Sequence, residues 1–249
     1  MARFPQLARS NPALRDSIFR DAHAESYAER MTVSGTVLKA MVLIALTTFS
    51  AAWVWQATVR NPAIVGTAVL VGALGGFVAA MVAVFRPRTA PFVAPLYAVL
   101  EGLALGAISA IYNAQYHGLP AMAVGLTLMV ALGMLLAYQT GLIRATDTFR
   151  RVIVSATFGI MFFYLIAIGM SFFGMGMPLI NDAGPLGIGL SVVFTAVAAL
   201  NLVLDFDLIE RGAQQGAPKY MEWYGGFALL VTLVWLYLEI LRLLGKMRR

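Results

Sequence analysis

The sequence predicts an all-α polytopic membrane protein, with seven transmembrane helices in a bundle. Three observations carry this. Of the 249 residues, 60% are hydrophobic and only 12% are charged, whereas a soluble domain has roughly a quarter of its residues charged. The apolar residues fall into seven runs, each long enough to cross about 30 Å of hydrocarbon as a helix. The connectors between the runs are short, and most of the charge lies outside the runs, in these connectors and the two tails. A backbone facing lipid must satisfy its own hydrogen bonds, so every run is read as a helix.

Residues 1–34 form a polar N-terminal tail in which Arg3, Arg9, Arg15, Arg20 and Arg30 mix with Asp16, Asp21, Glu25 and Glu29. It has no apolar core like that of a secretory signal, and it is too acidic for a transit peptide. It is expected to be a cytoplasmic tail. The transmembrane domain is placed at 35–244, with spans at 35–57, 62–85, 91–113, 120–141, 152–174, 187–209 and 223–244. Residues 245–249 are a basic C-terminal tail. Pro62, Pro87, Pro91, Pro120, Pro178, Pro185 and Pro218 lie in or beside the connectors, where a missing amide does least damage.

Within the spans, Gly72 and Gly76 are four apart, as are Gly102 and Gly106, a spacing that lets helix backbones approach closely. Trp53, Trp55, Tyr112, Tyr116 and Trp223 fall near helix ends and read as interfacial anchors. Met161-Phe162-Phe163-Tyr164 reads as lipid-facing or packing residues.

Orientation follows from the basic residues. With the N-terminus inside, twelve lie on the inner side and only Arg60 in the outer connectors, so the N-terminus is expected in the cytoplasm. One conflict stands: seven crossings put Lys246, Arg248 and Arg249 outside. Either the last span crosses incompletely, or this tail is a local exception.

Several classes of function are disfavoured. The formal charge is +6, but the basic residues form no stripe with interleaved aromatics, so no nucleic-acid partner is expected. There is no cysteine for disulfides, thiolate chemistry or metal ligation. His23 and His117 lie outside the spans, and serine elbows, His-Glu-x-x-His and Gly-x-Gly-Asp elements are absent. No enzyme activity and no cofactor are expected, and no metal-ligand set can be read.

What remains is a handful of ionisable residues inside the spans: Lys39, Glu101, Asp205, Asp207, Glu239 and Arg242. A charge within hydrocarbon is costly and by default marks a functional site. Asp205 ends a long uncharged run in the sixth span and is the leading candidate, roughly 6 Å above the span's inner end at 1.5 Å per residue. Lys39 is expected at a similar depth, and Glu101 near mid-membrane. Glu239 and Arg242 fall near the outer end, where long side chains can snorkel.

Asn201 shares a helix face with Asp205. Asp207 points roughly 200° away from Asp205 and can pair with Arg211 at the inner surface. Burial raises a carboxylate pKa and a nearby cation lowers it. An acid balanced between the two can serve as a proton-controlled gate. In this reading ionised Asp205 is held by a cation such as Lys39, and protonation releases it.

The run Asp205-Phe206-Asp207-Leu208-Ile209 resembles the Asp-x-x-Leu-Ile element of the Bax-inhibitor (transmembrane Bax-inhibitor-motif) family. Leu100-Glu101-Gly102-Leu103 resembles that family's third-helix signature. Ser10-Asn11-Pro12-Ala13-Leu14 and Trp235-Leu236-Tyr237-Leu238-Glu239-Ile240-Leu241-Arg242 are similar to its prokaryotic branch. The resemblance implies seven membrane helices, a bacterial inner (plasma) membrane location and, in some members, a pH-sensitive calcium leak.

In those members an aspartate on each of the last two helices forms the sensor. Asp205 matches the first and Thr232 stands where the second would fall. Thr232 cannot ionise, though it can donate a hydrogen bond to Asp205; Glu101 or Asp207 is a possible substitute.

The expected function is therefore a pH-sensitive cation leak, with calcium as a permeant ion rather than a resident one. The sequence offers few convergent acids for the six to eight oxygens calcium favours. The alternative is a regulatory membrane protein that binds a membrane-bound protease or another membrane partner, with the polar tail as its handle.

Overall fold

The computed structural model describes residues 30–174 and 182–248. Residues 1–29, with most of the tail, its Ser10-Asn11-Pro12 element and His23, lie outside the described residues, as does Pro178. Among the described residues seven helices are long and apolar enough to cross a membrane. They are α1 (Val33–Arg60), α2 (Ile64–Phe85), α3 (Ala90–Gln115), α4 (Leu119–Gln139), α5 (Asp147–Phe172), α6 (Pro185–Gln214) and α7 (Met221–Met247). A single 3-10 turn, Pro87–Thr89, leads into α3. The protein is thus an integral membrane protein built as an all-α bundle.

Local chemistry sets the helix ends. Thr32 caps α1 by accepting from the Gly35 amide, and Thr146 caps α5 by accepting from that of Phe149. Pro91, Pro120 and Pro185 occupy first-turn positions in α3, α4 and α6, where no amide proton is needed. Beyond α4, Gly141 turns the chain at φ 72°, which a side chain would resist.

The last helix is the centre of the bundle. α7 packs against α1, α3, α4 and α6, while α2 rests mainly on α3 and α5 mainly on α6. The core joins Leu43, Ala98, Leu202, Phe227, Leu230 and Leu236 from four of these helices. Tyr112, Tyr116 and Trp223, expected as interfacial anchors, pack instead against this core. Trp53 does remain 63% exposed.

Odd-numbered helices begin on the face where α1 starts, here called the N-terminal face. α7 crosses completely. Lys246 near its end donates to the Gly187 carbonyl at the start of α6 (2.9 Å), and Gly245 lies beside Tyr112 near the end of α3. The C-terminus is therefore opposite the start of α1, so incomplete crossing does not occur. The segment read as a tail is helical as far as Met247, and Lys246 is buried at 6% exposure.

Close helix approach uses the paired glycines. A Cβ on Gly102 would meet the Thr47 carbonyl at 2.5 Å, and one on Gly106 would collide with the Ala51 backbone, so both face α1. On Gly72 it would meet the Leu100 carbonyl at 2.6 Å, seating α2 on α3. Gly133 in α4 has nothing within 4 Å of that position. Gly106→Ala is therefore expected to destabilise by about 1–3 kcal/mol, as overpacking does. Gly133→Ala should be neutral or stabilising by up to about 1 kcal/mol. Thermal unfolding of both variants in one detergent checks the contrast.

Candidate functional site

Asp205 sits on the face of α6 that meets α7. Leu202 and Ile209, at helical spacing from it, are buried, and Ile209 lies against Gly225 of α7. The Asp205 residue is half-buried, but its Oδ2 is sealed from solvent and has no hydrogen-bond partner among the described residues. The Thr232 side chain of α7 lies beside the Asp205 carboxyl. The Thr232 hydroxyl donates to the Ala228 carbonyl of its own helix at 3.3 Å, so the proton it could offer Asp205 is contested. Thr232, the position the family resemblance sets opposite Asp205, thus stands against it.

Depth corrects one sequence expectation. α6 continues to Gln214, so Asp205 lies nine residues from its end, roughly 14 Å into the bundle rather than 6 Å. Thr232 is eleven residues into α7, roughly 17 Å, and matches that level. Lys39 is six residues into α1, roughly 9 Å. Its ammonium sits over the Trp223 ring, 5.2 Å from the centroid. The clamp of Asp205 by Lys39 is not formed.

The other acids occupy separate seams. Asp207 is buried and accepts from Arg150 of α5 at 2.7 Å and from Arg211 at 2.9 Å, as the four-residue spacing to Arg211 anticipates. Arg211 also reaches the Ala145 carbonyl at 3.4 Å. Asp207 therefore ties α5 and, through Arg211, the connector before α5 to α6, and does not join Asp205. Asn201, expected beside Asp205, spends its amide on Thr157 of α5 (2.8 Å) and on the Val197 carbonyl (2.9 Å).

Glu101 faces α2. A Cβ on Gly76 would lie 2.8 Å from its Oε2, so this glycine makes room for the carboxylate. No hydrogen bond or ion pair reaches Glu101 among the described residues, and α3 and α6 barely touch. Glu101 and Asp205 are thus two separate intramembrane acids.

The burial of two further carboxylates escaped sequence reasoning. Glu239 is 1% exposed instead of snorkelling. It accepts from Tyr164 (2.7 Å), Trp235 (3.1 Å) and Arg242 (2.9 Å), and Arg242 also bonds the Tyr164 hydroxyl. Trp235, Glu239 and Arg242 share one face of α7, and that spacing was the available signal. Tyr164 gave none, because its partner is 75 residues away. Its neighbours behave as expected: Met161 and Phe162 face outward, and Phe163 packs on Phe194 at 5.3 Å.

Glu222, 3% exposed at the start of α7, accepts from the Thr32 amide at 3.1 Å and the Thr32 hydroxyl at 2.9 Å. It fixes the chain entering α1 to the turn before α7. Among the described residues no three His, Asp or Glu side chains converge as a metal site.

A family model described as Bax inhibitor 1 like matches residues 11–249. Comparison with curated proteins returns no match, and comparison with solved structures returns none either.

The Glu239 network gives a direct test. Glu239→Leu removes the acceptor from three donors and strands Arg242, a change that typically costs 3–5 kcal/mol. Because the Arg242 side chain keeps 27% exposure, the lower end, about 3 kcal/mol, is expected. Glu239→Gln keeps an acceptor oxygen and should cost less than half as much, both read by thermal unfolding in detergent.

Proposed function

This chain belongs to the Bax inhibitor 1 like family, and on that premise we propose that it is a cation leak pathway gated by protonation of Asp205, with calcium as the permeant ion. The observation that carries this reading is the sealed, unpartnered Oδ2 of Asp205 in the α6–α7 seam. A neutral carboxyl can stay in that seam with Thr232 as its neighbour. A carboxylate cannot stay there alone, because an uncompensated charge in apolar surroundings costs several kcal/mol. Loss of the proton therefore calls for water or a cation at this level, and supplying either requires α6 and α7 to part.

With no cation beside Asp205 among the described residues, the direction of gating reverses from the Lys39 clamp. The closed bundle goes with the neutral acid and conduction with the ionised one. A single carboxylate and a hydroxyl fall far short of the six to eight oxygens of a resident calcium site. Such a poor cage suits an ion in transit, since passage needs binding weak enough to release. Glu101, alone in the α2–α3 seam, is proposed as a second, independent influence on the same pathway. The N-terminal face, which carries Arg86, Arg88, Arg144, Arg150, Arg151 and Arg211, is proposed to be cytoplasmic, in a bacterial inner membrane.

Reconstituted liposomes test this through calcium flux across pH. Wild-type flux should rise as pH rises and Asp205 ionises. Asp205→Asn, permanently neutral and nearly isosteric, should be flat at the wild-type acidic limit. Identical pH profiles for wild type and Asp205→Asn would remove Asp205 from the gate. Absence of flux at every pH would favour the second reading, a regulator of a membrane-bound protease or similar partner. Glu101→Gln should change flux amplitude while leaving the Asp205-dependent rise in place.

A further inference from the structure

A cavity of about 860 Å³ opens on the N-terminal half of the bundle, between α1 and α4, with α6 and α7 as its floor. Its size lies within the roughly 300–1,000 Å³ of typical ligand pockets. It exists because α1 and α4 barely touch: each packs on α7 and leaves a seam between them. Along α1 the lining runs from Val33 to Ile44, roughly 16 Å at 1.5 Å per residue. That is about half of a 30 Å hydrocarbon core, the depth of one leaflet.

The lining changes character with depth. Toward the membrane centre it is apolar, with Val37, Met41, Ile44, Leu135 and Leu229. Val37 and Met41 are 47% and 55% exposed, so the cleft opens sideways toward the acyl chains. At the rim, level with the helix ends, are Arg144, Thr146, Tyr138 and Arg211.

The charges at that rim leave one guanidinium without a partner. Asp207 is bracketed by Arg150 and Arg211, and Glu210 accepts from Tyr138 at 2.5 Å and from Gln214. Arg144 is exposed, folds back over Gly141, and makes no side-chain hydrogen bond or ion pair among the described residues. The cleft lining thus holds Arg144 and Arg211 with Asp207 and Glu210, and of its two guanidiniums Arg144's is the one with no carboxylate partner among the described residues.

We propose that this cleft binds one anionic phospholipid of the leaflet on the N-terminal face, its acyl chain between α1 and α4 and its phosphodiester on Arg144. The apolar depth requires a chain, and the uncompensated guanidinium at headgroup level selects a negative head. A free anion would use the rim alone and leave the apolar length unfilled. The site is distinct from the Asp205 seam, because neither Asp205 nor Thr232 lines it.

Native mass spectrometry of the full chain in detergent, titrated with phosphatidylglycerol or with phosphatidylcholine of identical chains, tests the site. The anionic lipid should be retained about fivefold more tightly, the size of one basic residue's contribution near a charged headgroup. Arg144→Gln should bring the two lipids to near parity without weakening phosphatidylcholine. Val37→Trp, which fills the apolar depth from an exposed position, should weaken both. Lipid-free thermal unfolding of each variant, matching wild type, reports that the fold is intact.

Equal retention of both lipids by wild type, or an unchanged preference in Arg144→Gln, would overturn the proposal. So would displacement of the lipid by millimolar glycerol phosphate, which would mark an anion site that needs no chain.

Discussion

Hydrocarbon supplies no hydrogen bonds, so every polar atom carried into it must find its partner in the protein. This constraint falls hardest on α7, which is central and carries Glu222, Thr232, Tyr237, Glu239 and Lys246 among its buried residues. Four of these five take partners from four different elements. Glu222 takes Thr32 from the entry to α1, Tyr237 shares a 2.6 Å bond with Ser109 of α3, and Glu239 takes Tyr164 of α5. Lys246 reaches the first turn of α6. The polar groups of one helix thus fix the positions of the four helices that answer them. Apolar packing alone gives little such direction in lipid, where side chains meet surroundings as apolar as themselves.

Close approach makes these bonds geometrically possible. Gly102 and Gly106 bring α3 onto α1 at backbone contact, and Gly72 and Gly76 seat α2 on α3. On the other side Gly226 of α7 lies against the Ala40 backbone of α1, and Gly225 against Thr36. The side where glycines are not used in this way is the α1–α4 seam, and there the bundle leaves a cleft. Tight and loose seams in one bundle thus follow from where small residues fall on facing helices.

Much of this was legible in the sequence, and the limits have physical reasons. Helix number and type follow from apolar run length, and the Gly72/Gly76 and Gly102/Gly106 contacts follow from spacing along one helix. Asp207–Arg211 was legible for the same reason, being a pair within one helix. Arg150 on Asp207, Tyr164 on Glu239 and Thr32 on Glu222 were not, because each joins residues distant in sequence. The depth of Asp205 was misjudged because α6 stays helical through Asp207, Glu210 and Arg211, where charge was taken to mark its end. Paired within the helix, those charges do not stop it. The Lys39 clamp failed with that boundary, since it rested on equal depth.

The comparison that matters for function lies among the carboxylates themselves. Glu222 has two donors from Thr32, Asp207 has two arginines, and Glu239 has three donors from two helices. A bundle that answers acids so fully at these positions can place donors opposite a carboxylate. At Asp205 it leaves one oxygen sealed and unanswered, facing a threonine whose single proton is contested by its own helix. Glu101 also lacks a donor, but among the described residues only Asp205 has an oxygen both sealed and unanswered, and a violation of that kind, at the interface of two helices that meet along their length, is where function is expected to override packing. The same oxygen with a lysine beside it would be a structural ion pair, fixed in one state. Without one, its charge can be balanced only by something that arrives, and both a proton and a metal cation qualify.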